Sequence, residues 1–224
     1  MGSCFISSDV LRGFIQTVLL EEGVEEFSAE AVAQGLLHAS LRGIDSHGIR
    51  LFPHYLRGLK GGRINHKPKF IFNKTSISTG KLDGDHSFGH AAGVEGMNKA
   101  IEMAADAGSG HVAVYNSSHF GAAAFFALIA AKRDMIGMCF TNATPHVLTS
   151  GGKRAFFGNN PICFVAPCEG EEPFCLDMAT SAITFNRVLQ HKESNAPIPA
   201  DSVADANGNP TTDPDSAKYL LPIG

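Results

Sequence analysis

From Lys69 onward the sequence alternates strand-like and helical runs, and that alternation limits the fold more than any single motif does. "KFIFNKTSISTGKLDG" carries β-branched and aromatic residues among turn formers, as a strand pair does. Gly89 to Gly108 then reads as a long helix rich in alanine and methionine, "HVAVY" as a short strand and "GAAAFFALIAAKR" as a helix. "MIGMCFTN", "ICFVAP" and "PFCLDM" are further strands, and "SAITFNRVLQHK" a further helix. Such an order predicts an α/β core. Ahead of it the chain reads as helical. Ser8-Asp9 can cap a helix with apolar positions Val10, Phe14, Ile15, Val18 and Leu19, closed by Gly23. A second helix is expected from Ser28 through Ala31, Leu36, Leu37 and Leu41 to Gly43, and a third with Pro53 in its first turn and Gly61-Gly62 at its end. The expected organisation is a helical segment, 1–65, and an α/β domain, 66–224. The tail "DANGNPTTDPDSAKYLLPIG" is rich in turn residues and reads as lacking a closing element.

Composition removes several classes of function. The 224 residues carry a net charge of −4 with both signs interspersed, which argues against a nucleic-acid surface or an anionic membrane surface. A small anionic substrate needs only one or two placed arginines and stays open. No window holds the roughly 18 unbroken apolar residues of a membrane span. The opening "MGSCFISSDV" has no basic stretch before an apolar core, and Ile6 occupies the position where a myristoylation signal needs Ser or Thr. Cys4, Cys139, Cys163, Cys168 and Cys175 form no C-x-x-C pair, so a reduced, cytoplasmic chain is expected. His86 and His90 are four apart, but the stretch is broken by glycine and no H-E-x-x-H occurs, so no metal site is expected.

Four stretches can carry chemistry. In "RGIDSHGIR", Ser46 or Asp45 can cap a helix with His47 merely exposed. Equally, His47 can exchange a proton at neutral pH beside Arg50, whose fork matches a carboxylate, with Gly48 clearing space by the imidazole. "VYNSSHFG" lies where a strand gives way to a helix. Either Ser117 or Ser118 caps that helix, or Asn116 to His119 meet a ligand there. "GGKRAFFGNNPICFVAP" crowds glycine and asparagine before a strand and can approach a flat ring or a phosphate, although neither G-x-x-x-x-G-K-[ST] nor G-x-G-x-x-G is present. In "CLDMATS", Asp177 ends a strand and needs a partner if buried, with Thr180 and Ser181 opening a helix.

Taken in order, "RGIDSHGIR" with Tyr55, "NSSHFG", "GNNP", "LDMATS", "DANGNPTTDP" and "LLPIG" resemble the malate/L-lactate dehydrogenase type of NAD(P)-dependent 2-oxoacid oxidoreductases. That family is unrelated to the Rossmann-fold lactate and malate dehydrogenases, and it also holds sulfolactate, ureidoglycolate and diketogulonate enzymes and cyclic-imine carboxylate reductases. The resemblance implies a non-Rossmann mixed α/β nicotinamide-binding domain behind a helical segment, working as a homodimer with NAD or NADP on a small anionic substrate. It implies His47 as general acid, Asp177 as the group orienting or polarising the catalytic imidazole, and His119 over the substrate, with the family divided on which histidine gives the proton. Ser46, Arg50 and Tyr55 would bind substrate. Asn159, Asn160 and Pro161, with Leu176, Asp177, Met178, Ala179, Thr180 and Ser181, would contact the cofactor. The family usually has Thr in place of Asn159, and it continues past "LLPIG" into segments that complete the cofactor site, so the C-terminal part is expected to be missing here. The competing expectations are a catalytically impaired remnant serving as a binding or dimerisation scaffold, and a metal-dependent hydrolase built on the histidines.

Overall fold

The computed structural model describes residues 5–223, which leaves Cys4 and the residues before it outside the description. The chain divides into two compact units, Met1–Gly137 and Met138–Gly224.

The first unit opens with α1 (Ser8–Glu21), α2 (Glu26–Leu41), two successive 3-10 turns (Asp45–His47 and Ile49–Leu51) and α3 (Phe52–Lys60). The cap of α1 is Ser7, whose Oγ accepts the Val10 N–H at 3.3 Å, not Ser8-Asp9. The inward stripe of α1 is Ile15 and Leu19, while Val10 and Phe14 face solvent. Helix α2 starts two residues before Ser28, which is buried and donates its hydroxyl to Glu25 Oε1 at 2.8 Å. Pro53 does lie in the first turn of α3, where its missing N–H costs nothing. The three helices bury Ile15, Leu19, Val32, Leu36, Phe52, Tyr55, Leu59, Ile64 and Phe88 in one core. Burial of each such side chain contributes roughly 1.5–3 kcal/mol.

A small mixed sheet follows. Antiparallel β1 (Ile71–Lys74) and β2 (Thr79–Asp83) form the expected pair, and α4 (Gly89–Ala107) crosses to β3 (His111–Tyr115), parallel to β2. Gly108, left-handed at φ 79°, ends α4. Eight residues separate β3 from α5 (Ala124–Ala131), so His119 lies in a loop and in no helix's first turn.

In the second unit, β4 (Gly137–Phe140), β7 (Ile162–Ala166) and β8 (Phe174–Met178) form one sheet. The other contains β5 (Val147–Leu148), β6 (Ala155–Phe157), β9 (Val203–Ala204), β10 (Pro210–Thr211) and β11 (Tyr219–Leu220), in the order β10-β9-β11-β5-β6. The tail therefore does close a layer, with β9 to β11 supplying three of the five strands. Helix α6 (Phe185–Glu193) is capped by Thr184, whose Oγ1 accepts the Arg187 N–H at 3.3 Å. Thr180 and Ser181 do not open a helix, because the Thr180 N–H goes to Asn159 O at 2.8 Å and Ser181 bridges to Pro222. Val147, Ile183, Val188, Ile198, Val203 and Leu220 form the core between this sheet and α6.

Candidate active site

The corner at 43–52 is built by backbone geometry. Gly43, at φ 72°, turns the chain out of α2, and two 3-10 turns then lead into α3. Ile44, Gly48 and Leu51, which precede the two turns and α3, give them no side-chain cap. Ser46 Oγ shares a hydrogen bond of 2.9 Å with His47 Nδ1. Gly48 serves a different neighbour from the one expected. A Cβ there would lie 2.2 Å from Ser40 Oγ, so its bareness admits Ser40, which accepts the Ile49 N–H at 2.9 Å. The corner is thereby fastened to the last turn of α2.

A second loop, 116–119, brings His119 to that corner. Strands β2 and β3 stay paired past their ends, with Gly84 N–H donating to Tyr115 O at 2.9 Å and His86 N–H to Asn116 O at 2.7 Å. Asn116, left-handed at φ 48°, donates Nδ2 to the Asp83 carboxylate. Ser118 is a cap, though for α4: its Oγ accepts the Gly89 N–H at 3.1 Å and donates to Ser87 O at 3.0 Å. With Ser118 pinned to the start of α4, the next residue has little freedom.

Three rings meet as a result. The imidazoles of His47 and His119 lie near-parallel, centroids 5.7 Å apart with 17° between planes. Tyr55, buried on α3, places its Oη 2.7 Å from His119 Nδ1. His119 keeps solvent-exposed surface, yet its imidazole is hemmed in by Tyr55, His47 and His54. Burial, then the positive charge available to His47, His54 and Arg63, lowers its pKa to about 4. His119 is therefore neutral at neutral pH. Burial also raises the Tyr55 pKa, keeping its hydroxyl protonated. When that hydroxyl donates to Nδ1, the ring proton of a neutral His119 sits on Nε2. Beneath them His90 is fully buried, its ring 5.2 Å from that of Tyr55, and among the described residues neither nitrogen has a hydrogen-bond partner. Burial, then the charges on His119 and His47, lowers its pKa to about 3. Such an arrangement admits one charged imidazole in the stack and places a neutral one next to it.

The expected cofactor residues all lie in the second unit, and three of them, Asn160, Pro161 and Thr180, line one groove. Thr180 donates both its N–H and its Oγ1 to Asn159 O, at 2.8 and 3.1 Å, and Asn160 Oδ1 accepts the Ala143 N–H at 3.1 Å. Asn160, Pro161 and Thr180 line an open groove of about 440 Å³ with Phe140, Phe157 and Pro222. Gly158 keeps the groove's base tight, since a Cβ would come within 2.4 Å of Ala143 O. On β8, Leu176 and Met178 are exposed on one face. Asp177 faces the other way, opposite Cys163, and its charge adds to the burial that raises the pKa of Cys163 and lifts that of Cys139 to about 12.

The family model for malate/L-lactate dehydrogenase matches residues 6–224. The chain belongs to the malate/L-lactate dehydrogenase family. Among its relatives, a malate dehydrogenase of Pyrococcus abyssi is 38% identical over 222 residues, covering 98% of this chain and 61% of that protein. A malate/(S)-sulfolactate dehydrogenase of Methanothermus fervidus is 38% identical over 221 residues, covering 98% and 65%. The crystal structure of malate dehydrogenase from Entamoeba histolytica superposes with a TM-score of 0.95 at 34% identity, over 100% of this chain and 64% of that one. The chain thus spans less than two thirds of the length of these relatives.

The structure brings Ser46, His47, Tyr55 and His119 of this family member together in the first unit. Arg50 lies in the second 3-10 turn, half-buried, and Asp177 belongs to the second unit. Sequence reasoning missed His54, His90 and Arg63. His54 precedes Tyr55 and was legible from that adjacency alone. His90 was weighed only as a metal ligand paired with His86, but His86 sits at φ 57° in a turn outside α4, so the two share no helix face.

Proposed function

We propose that the chain carries the substrate-binding and proton-donating part of an NAD(P)-dependent reductase of small 2-oxoacids, which in reverse is a 2-hydroxyacid dehydrogenase. The observation that supports this most is the His47–His119–Tyr55 cluster, in which one imidazole is held neutral beside another that can carry the proton. In this reading His47 gives a proton to the carbonyl oxygen as it becomes a hydroxyl. Ser46 engages Nδ1, so the transfer falls to Nε2. The neutral His119 donates its Nε2–H toward the same oxygen, and Arg50 takes the carboxylate in a two-pronged contact. When bound, the nicotinamide group supplies a hydride to the carbonyl carbon. Asn160, Pro161 and Thr180 suit a flat ring, being small or planar side chains on an open groove that Gly158 also lines, and Asn159 and 176–181 are taken as cofactor contacts with them. Homodimer formation and a cytoplasmic location belong to the same proposal.

The test is oxidation of NADH and of NADPH against a panel of 2-oxoacids by the full-length protein and its His47→Gln variant. The variant should lose roughly 10²–10⁴-fold in turnover, the usual worth of general acid catalysis, while nucleotide binding persists. Near-normal turnover in His47→Gln would move the proton to His119.

A further inference from the structure

Helix α3 ends in a C-terminal motif that folds the chain back on itself. The Gly62 N–H donates to Leu59 O at 3.0 Å and the Arg63 N–H to Gly58 O at 3.0 Å, with Gly62 left-handed at φ 72°. These are the two bonds of a Schellman cap, and Ile64, buried in the helical core, is its apolar anchor. The cap fixes where Arg63 goes. Its guanidinium lies on Gly58, so close that a Cβ there would be 2.7 Å from Nη2. Gly58 stands four residues after His54 and three after Tyr55, on the same strip of α3. The cation thus rests about one helical turn, roughly 5–6 Å along the axis, from the rings that meet His119.

Two further observations define what this cation does. Among the described residues no carboxylate forms an ion pair with Arg63. Arg63 also lines an open pocket of about 490 Å³ with Asn65, His66, Asp85 and His86. The one acid of that pocket, Asp85, is already occupied by Asn65 Nδ2 and the Lys69 N–H, each at 2.9 Å. Its charge opposes an anion in the pocket, but both its donors oppose that charge in turn.

We propose that Arg63 is a specificity-determining residue that binds a second anionic group, a distal carboxylate or sulfonate, on the substrate reduced at the His47–His119 pair. This rests on the dehydrogenase reading given above. Arg50 holds the carboxylate next to the reacting carbonyl, and Arg63 reads the far end. A guanidinium suits either anion, since its fork donates two parallel N–H bonds. The field of Arg63 on His54, Tyr55 and His119 is consistent with this placement.

The experiment compares the full-length protein with Arg63→Gln and Arg63→Lys at pH 7.5, using oxaloacetate as the doubly charged acid and pyruvate as the singly charged one. The ratio of kcat/KM for oxaloacetate to that for pyruvate should fall roughly ten- to hundredfold in Arg63→Gln, as expected for one charge-assisted contact. The loss should appear mainly in KM, and Arg63→Lys should recover part of it. Equal losses on both acids, or no change in the ratio, overturn the inference and leave the dehydrogenase reading standing. If the unaltered protein reduces neither acid, binding of malonate and of acetate, followed by NMR of the His54 and His119 rings, decides independently. A preference for malonate that vanishes in Arg63→Gln upholds the anion site while the dehydrogenase reading fails; equal binding in both proteins overturns the site as well.

Discussion

Tyr55 and His119, 64 positions apart in the chain, share a hydrogen bond of 2.7 Å between Oη and Nδ1. One partner is a core residue of the helical bundle, and the other rides a loop anchored to the start of α4. The bond therefore ties the protonation pattern of a site imidazole to the packing of the core.

Tyr55→Phe keeps the buried ring and removes only the hydroxyl. The fold should lose no more than about 1.5 kcal/mol, the net worth of one hydrogen bond. His119 should lose its fixed tautomer, which ¹⁵N shifts of its two ring nitrogens report directly. A single, unchanged pattern in the variant would show that Tyr55 is not what fixes the tautomer. Activity on a 2-oxoacid should drop roughly tenfold, the same energy expressed as a rate.

Acid should destabilise the first unit through its neutral histidines. An unfolded histidine titrates near 6.5, whereas His90 and His119 are held down to about 3 and about 4 when folded. Between those values the unfolded chain binds protons that the folded one refuses. Stability is thus full above about pH 6.5 and falls as pH drops toward the folded values. At pH 5 the fully buried His90 alone accounts for about 2 kcal/mol. Urea melts at pH 7.5 and pH 5 should show a smaller difference for His90→Leu than for the parent, and identical differences would refute the assignment.

Gly48→Ala should be costly because of Ser40. The new methyl would sit 2.2 Å from Ser40 Oγ and 3.2 Å from Ser40 N, so only part of the clash can be relieved by the side chain. Overpacking of this kind costs about 1–3 kcal/mol. Adding Ser40→Ala should restore some of the lost Tm, and the coupling in the double-mutant cycle measures the contact. Strict additivity would show that the two residues do not press on each other.

Asn160 combines a left-handed backbone, φ 26°, with the hydrogen bond to the Ala143 N–H. Asn160→Gly loses the bond but suits the backbone, whereas Asn160→Ala loses both. Alanine should therefore be the less stable variant by about 1 kcal/mol. Both should bind nucleotide more weakly if the groove holds the cofactor, which titration of nucleotide fluorescence reads out.

The elements with strong periodicity were legible in the sequence. Helix α4, with Gly at its end, and the β1–β2 pair fall where the pattern puts them, because side-chain burial and chain reversal are local properties. The strands β5, β6 and β9 to β11 were not, being two or three residues long and joined into one sheet only by the pairing of Leu220 with Val147, far away in sequence. The site divides similarly. His47 and His119 could be singled out by residue type, but their stacking depends on Ser118 capping a helix that begins 29 residues earlier. Gly48 was noticed for the wrong neighbour, since no local pattern announces Ser40. Arg63 went unnoticed because a solvent-facing arginine after a glycine pair looks like any helix end. Only the fold-back of the cap sets it beside His54 and Tyr55.

The β7–β8 hairpin decides where the second unit tolerates a change of length. Cys163 stands opposite Asp177 and Phe164 opposite Leu176, so thiols and carboxylate share one side and bulky apolar groups the other. Loss of one residue at the exposed tip, Cys168 to Glu172, shortens the turn and preserves that parity. Loss of Cys175 instead would slide Leu176 into the slot of a thiol and Asp177 into the slot of a leucine, reversing every later side chain of the strand. Insertions, epitope tags and natural variation in length therefore belong at the tip, and the arms admit substitution only.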